Sequence, residues 1–130
     1  MTYVFTALVT LLALLFYFVV TGMVARARVK YGIKAPAVTG NENFERAYRV
    51  QMNTLEQMAF FLPSLWLYAV FVSDRGAAAG GVIWIAGRVL YAVNYIRDPA
   101  SRGQGATITL IAQIGLFLGA AYGVVRALAF

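Results

Sequence analysis

Long apolar runs separated by short polar segments dominate the chain. The first run, residues 3–25, carries no charged side chain and is long enough to cross the roughly 30 Å hydrocarbon core of a bilayer as one helix. Further runs predict four membrane-spanning helices in all, at approximately residues 3–25, 41–73, 77–96 and 106–129. We therefore predict one all-α domain, residues 1–130, that forms an integral membrane four-helix bundle.

The second predicted span differs from the others because its first half is polar. Residues 42–56 read ENFERAYRVQMNTLE, and the apolar sequence FFLPSLWLYAVFV follows shortly afterwards. Thr39 and Glu42 have the spacing of a capping box, which predicts the start of the helix there. Two pairs are spaced for i,i+4 ion pairs: Glu42–Arg46 and Glu45–Arg49. Ionisable residues that enter a membrane span are costly, so this segment indicates a functional site.

Helical spacing sorts these polar residues into one face and one exception. At about 100° per residue, four side chains fall within an arc of about 80°: Glu45, Arg49, Asn53 and Glu56. Gln51 points to the opposite side of the same helix. In the third span, Arg88, Tyr91 and Tyr95 fall within about 60°. If the two helices are neighbours, the two polar faces can form a pocket.

Two interpretations of this pocket are open from spacing alone. In the first, Arg49 or Arg88 neutralises Glu45 or Glu56, because a buried charge must be paired. In the second, the surplus cations bind an anionic ligand. Further arginines near the same ends of the helices favour the second interpretation: Arg28, Arg97 and Arg102.

Charge and composition narrow the class of protein. Hydrophobic residues make up 62% of the chain and charged residues 12%, which is typical of a membrane protein. The net charge is +6, but the cations lie at the ends of apolar runs, so we predict no nucleic-acid partner. Loops one and three are the basic loops, which predicts that both are cytoplasmic and that both termini lie on the opposite side.

The chain contains no cysteine and no histidine. A thiolate nucleophile, a disulfide and a Cys/His metal site are therefore excluded, and we predict no metal cofactor. Any chemistry must use Arg, Tyr, Asp or Glu, or a reactive group that a ligand supplies.

Two motifs resemble those of the membrane-associated proteins in eicosanoid and glutathione metabolism, the MAPEG family. The first is FERxxRxQxNxxE at residues 44–56, together with the basic segment that precedes it. The second is the set Arg88, Tyr91, Tyr95 and Arg102 in and after the third span. The chain is most similar to the microsomal glutathione transferase and leukotriene C synthase branches, and it shares their length and four-span layout.

The resemblance implies a homotrimer that binds glutathione in the membrane between neighbouring subunits. One subunit would contribute Arg49, Asn53, Glu56, Tyr91 and Tyr95, with Arg88 beside them. The next subunit would contribute Arg28 and Gln51. Arg102 would be the catalytic residue, since it matches the arginine that stabilises the glutathione thiolate. A nearby cation lowers the pKa of a thiol, so this chemistry needs neither His nor Cys.

The implied activity is conjugation of glutathione to a hydrophobic electrophile from the bilayer, with glutathione peroxidase activity on lipid hydroperoxides as a second expectation. Two departures bear on specificity: Gln57 stands where some members have Tyr, and Val29 stands where leukotriene C synthase-like members have a second Arg. The alternatives are a non-catalytic lipid-binding or scaffold member of the same fold, and a proton-coupled multidrug transporter that uses Glu56.

Overall fold

A computed structural model describes residues 2–130, which form four long α-helices and one short 3-10 helix. The helices are α1 (Val4–Tyr31), α2 (Glu42–Phe71), α3 (Asp74–Arg97) and α4 (Gly103–Ala129), and the 3-10 helix Pro99–Arg102 joins α3 to α4. The described chain contains no strand, so the all-α prediction is confirmed. Each helix except α2 begins or ends beyond its predicted span, because an apolar count stops at charged residues that still continue the helix.

The helices form a bundle with α2 and α3 at its centre. The first helix packs on both of them, and α4 packs on the same two helices. The largest apolar cluster includes a stacked pair at this centre, Phe61 and Trp84, whose ring centroids are 3.9 Å apart. Side chains from α2 and α3 therefore meet along the middle of the bundle. The pocket predicted between the two polar faces needs these helices to be neighbours.

The second helix begins at Glu42, with Asn41 as its N-cap. The Asn41 Oδ1 atom accepts hydrogen bonds from the backbone N–H groups of Asn43 and Phe44. The predicted capping box from Thr39 is therefore wrong, since Asn41 lies closer to the free N–H groups of the first turn. Of the two predicted ion pairs, Arg46 binds Glu42, whereas the Glu45 carboxylate accepts from the Gly40 backbone instead of binding an arginine.

Close approach of α3 and α4 depends on glycine. A Cβ atom on Gly105 would overlap the backbone of Tyr91, and one on Gly87 would lie 2.8 Å from the Thr109 hydroxyl. Small residues allow two helices to approach this closely. The contact between Gly105 and the Tyr91 backbone fixes the position of Tyr91 relative to the start of α4. Arg102 directly precedes that helix.

The surface of the bundle is largely apolar. Helices α1, α3 and the segment Pro99–Ala129 are long and apolar enough to cross a membrane, whereas α2 does not reach that composition because its first half is polar. Leucine, isoleucine and phenylalanine side chains of α1 and α4 are exposed on the outside of the bundle. Such a surface fits a lipid environment.

Candidate functional site

Arg88 is a charged side chain in the interior of the bundle. Only 1% of its surface is exposed. It lies nine residues before the end of α3 (97 − 88), which is about 14 Å along the helix axis. Its Nη2 atom donates to Asn53 Oδ1 at 2.8 Å and to Thr54 Oγ1 at 3.1 Å. Both acceptors are on α2, so the predicted polar faces of α2 and α3 do meet.

The charge of Arg88 has no carboxylate partner among residues 2–130. The ion pair found in this part of the chain joins Arg46 to Glu42 near the start of α2. Asn53 and Thr54 are neutral acceptors, and the Nε atom of Arg88 is buried without any hydrogen-bond partner in the described chain. The interpretation in which Glu45 or Glu56 neutralises Arg88 is therefore wrong. A buried cation with spare donors needs an anion or water.

A cavity of about 260 Å³ opens beside this guanidinium group. Residues of α2, α3 and α4 line it: Asn53, Gln57, Arg88, Tyr91, Arg102, Ala106, Thr109 and Leu110. Two arginines, two amides, a phenol and a hydroxyl thus face one space, and no acidic residue of the described chain lines it. This donor-rich set can hold an anionic ligand of several polar groups.

The two tyrosines of α3 are stacked beside the same cavity. Their ring centroids are 5.5 Å apart, and the Arg88 guanidinium carbon lies 4.3 Å from the centroid of Tyr91. This cation–π contact holds the Arg88 side chain in place without cancelling its charge. Tyr95 is half-buried and does not line the cavity itself.

Arg102 reaches the cavity from the short 3-10 helix. Its Nη1 atom donates to the Pro99 carbonyl oxygen at 2.7 Å, and the side chain remains exposed. The other guanidinium donors are available to a ligand at the mouth of the cavity. Arg88 at the depth of the cavity and Arg102 at its mouth therefore form the two cationic walls of the site.

Four other residues from the sequence-predicted site lie outside this cavity. Arg49 and Glu56 are exposed on the surface of α2. Gln51 points to α1, where its Nε2 atom donates to Thr21 Oγ1 at 3.2 Å. Arg28 donates to the Ala37 carbonyl oxygen at 2.7 Å and so closes the loop after α1. One chain alone thus gathers Asn53, Arg88, Tyr91 and Arg102. Five residues of the predicted site, counting Tyr95, lie outside the cavity: Arg28, Arg49, Gln51, Glu56 and Tyr95.

The sequence interpretation missed two threonines of the site. Thr54 is fully buried and accepts a hydrogen bond from Arg88, and Thr109 brings a hydroxyl group from α4 to the cavity wall. Thr54 directly follows Asn53 and could have been found as the second acceptor for a buried arginine. The sequence does not show that Thr109 lines a cavity, because many threonines in helices only donate to a carbonyl oxygen of their own helix. Thr109 makes that hydrogen bond as well, to Gly105.

The amino-acid sequence is similar to a known protein family and to several known proteins. Residues 6–122 match the model of the MAPEG family. An uncharacterized protein of Synechocystis sp. is 48% identical over 114 residues, which cover 88% of this chain and 83% of that protein. Microsomal glutathione S-transferase 2 of Homo sapiens is 34% identical over 101 residues, which cover 72% of this chain and 69% of that protein.

Leukotriene C4 synthase of Cavia porcellus is a further relative, 35% identical over 96 residues. The match covers 74% of this chain and 64% of that synthase, slightly under two thirds of its length. The family match covers nearly the whole bundle, including all four residues that the cavity gathers from the predicted site. These similarities confirm the resemblance that the two motifs indicated: the chain is a membrane protein that belongs to the MAPEG family.

Proposed function

We propose that the protein is a membrane-bound glutathione transferase that conjugates the glutathione thiolate to hydrophobic electrophiles. The observation that carries this proposal is the cavity between α2, α3 and α4, with Arg88 buried beside it and unpaired by any carboxylate of residues 2–130. Glutathione has two carboxylates, an ammonium group and a thiol. It therefore supplies the negative charge that the cavity lacks.

We propose one role for each polar residue of the cavity. Arg88 binds a carboxylate of glutathione at the depth of the cavity, where its charge is least screened by water. Asn53, Gln57 and Tyr91 hydrogen-bond the peptide groups. Arg102 faces the thiol at the mouth. The names of two relatives support glutathione as the co-substrate, since they are a glutathione S-transferase and a leukotriene C4 synthase.

The reaction begins with the loss of the thiol proton to water, because Arg cannot accept a proton near neutral pH. The positive charge of Arg102 stabilises the thiolate that remains and lowers the pKa of the thiol. The sulfur lone pair then attacks an electrophilic carbon, an S–C bond forms, and the leaving group departs with its electron pair. With a lipid hydroperoxide, two glutathione thiols become one disulfide while the O–O bond is reduced to an alcohol and water.

The residues outside the cavity fit a homotrimer in which neighbouring subunits complete each site. Arg49 and Glu56 are charged and exposed on a helix that continues into the membrane, where charges normally face protein. We propose that a neighbouring subunit covers them and that its Arg28 and Gln51 approach the same glutathione. The predicted orientation, with loops one and three in the cytoplasm, would place the mouth of the cavity on the cytoplasmic side.

Arg102→Ala tests the chemical role of the cavity. We expect glutathione to bind with little loss of affinity, because Arg88 still holds a carboxylate. The thiolate should fall by about tenfold or more, the usual effect of losing a cation beside a thiol. Stopped-flow ultraviolet absorbance measures the thiolate, and conjugation of an aryl halide measures turnover.

Arg97→Ala is the matched control, since Arg97 is an exposed arginine of the same region that does not line the cavity. It should leave both signals unchanged. If Arg102→Ala forms as much thiolate as the wild type, the proposed role of Arg102 is contradicted. If the wild type binds a lipid but neither binds nor turns over glutathione, the proposed transferase activity is contradicted and a non-catalytic lipid-binding role is supported instead.

A further inference from the structure

A second pocket lies between the end of α1 and the start of α2. Its volume is about 360 Å³, and two cations line it, Arg26 and Lys30. They are four residues apart on α1 and so lie on the same face of that helix. Asn43 contributes an amide from the first turn of α2. This pocket shares no lining residue with the glutathione cavity.

The positive charge of this pocket is not neutralised by the protein. No acidic residue lines the pocket in the described chain. The nearest acid in sequence, Glu42, already binds Arg46. Lys30 lies 5.4 Å from the ring centroid of Tyr31, a contact that orients the ammonium group and leaves its charge. The pocket therefore favours an anion.

Apart from the phenol of Tyr31, the remaining lining residues are apolar. Met23 lies on α1 on the side of Arg26 away from Lys30, and Ala27 lies between the two cations. Ile96 closes the pocket from the end of α3. Met23 precedes Arg26 by nearly one helical turn, in the direction of the uncharged part of α1. The pocket thus joins a cationic end at the membrane boundary to an apolar wall that leads toward the membrane.

We propose that this pocket binds the phosphate group of an anionic phospholipid. The phosphate accepts from Arg26, Lys30 and Asn43, and the glycerol and first acyl carbons lie along Met23 and Ile96. A soluble phosphate compound would satisfy the cations but would leave the apolar wall unused. Each Lys or Arg near an anionic lipid contributes about five- to sixfold in affinity, so the pair contributes about 30-fold.

The test is lipid binding by native mass spectrometry on the protein purified in a neutral detergent. The lipids are phosphatidylglycerol and phosphatidylcholine with the same acyl chains. The variant is R26Q/K30Q, and the control R75Q/R126Q removes two cations from the opposite end of the bundle. Both variants lower the net charge from +6 to +4, since each loses two positive charges. All four side chains are exposed, and circular dichroism checks the helical content.

We expect R26Q/K30Q to lose phosphatidylglycerol affinity by about 30-fold and R75Q/R126Q to lose none. The loss for phosphatidylcholine should be much smaller, because its choline ammonium group offsets the charge of the phosphate. Equal losses in the two variants would overturn the proposal, because net charge alone would then explain binding. No loss in either variant would overturn it as well. Inorganic phosphate should compete only weakly with the lipid, and competition at comparable concentration would assign the pocket to a soluble phosphate ligand instead.

Discussion

Two buried polar clusters lie one helical turn apart on α3, and they differ in what they leave unsatisfied. At Trp84, the indole Nε1 atom donates to Gln113 Oε1 at 2.8 Å, and the ring stacks on Phe61. At Arg88, the guanidinium group has two neutral acceptors, a buried Nε atom without a partner in the described chain, and a cavity beside it.

The difference separates a structural polar pair from a binding site. Trp84 and Gln113 satisfy each other inside the packed core, so their hydrogen bond stabilises one arrangement of α3 on α4. Arg88 retains charge and donors that the protein does not use, which costs stability unless a ligand uses them. Burial of a polar side chain alone therefore does not indicate a binding site. A buried polar side chain that keeps unused hydrogen-bond donors beside a cavity does.

The largest expected effect is that of Arg88→Met, which removes the charge and keeps most of the volume. Glutathione binding should weaken by about 10- to 150-fold, because a charged hydrogen bond contributes roughly 1.5–3 kcal/mol. The melting temperature should stay the same or rise, because an apolar side chain replaces an unpaired buried charge. Calorimetric titration and thermal unfolding measure the two. A large loss of stability would instead make Arg88 a structural residue like Trp84.

The converse effect is expected for Gln113→Leu. The Trp84 N–H group would be left buried without its acceptor, which costs about 1–3 kcal/mol of unfolding free energy. Glutathione affinity should not change, since Gln113 does not line the cavity. Gln104→Leu, at an exposed glutamine of the same helix, is the control and should leave the core intact. A loss of glutathione affinity in Gln113→Leu would contradict the assignment of the Trp84–Gln113 pair to structure alone.

The smallest effect is expected for Thr54→Val, which keeps the shape of the side chain and removes one acceptor of Arg88. The guanidinium group should be less well positioned, and glutathione affinity should fall by about two- to tenfold. Thr107→Val is the control. Thr107 likewise donates to the carbonyl oxygen four residues earlier, but its side chain is exposed and does not line the cavity. Equal affinities for Thr54→Val and the wild type would show that Asn53 alone positions Arg88.

Much of the fold could be predicted from the sequence, because apolar runs of membrane length have few alternatives to helices. Exact helix starts were harder to predict. An N-cap is usually Ser, Thr, Asp or Asn, and the start of α2 offers two such residues, Thr39 and Asn41. The structure shows that Asn41 caps α2 and that Ser73 caps α3. The α3–α4 contact was also missed. In the sequence, no spacing distinguishes Gly87 and Gly105 from Gly115, at which an added Cβ atom would meet no neighbouring atom within 4 Å.

The site was predictable where helical spacing decides which side chains share a face. Arg88 and Tyr91 share one face of α3, and Asn53 lies opposite on α2. Spacing could not show that Arg88 lacks a carboxylate partner in the described chain, because Glu45 and Glu56 fall on the same predicted face of α2 as Asn53. Nor could it show that α4 contributes a wall of the cavity, since that depends on how closely Gly105 lets the two helices approach.

The central claim is that Arg88 and the cavity beside it bind the carboxylates of glutathione. The most direct test is a calorimetric titration of the purified protein with glutathione and with its diethyl ester, in which both carboxylates are masked. Glutathione should bind, and the diester should bind at least about tenfold more weakly, because Arg88 loses its anionic partner. Equal affinity for the two compounds, or no binding of glutathione, would contradict the claim.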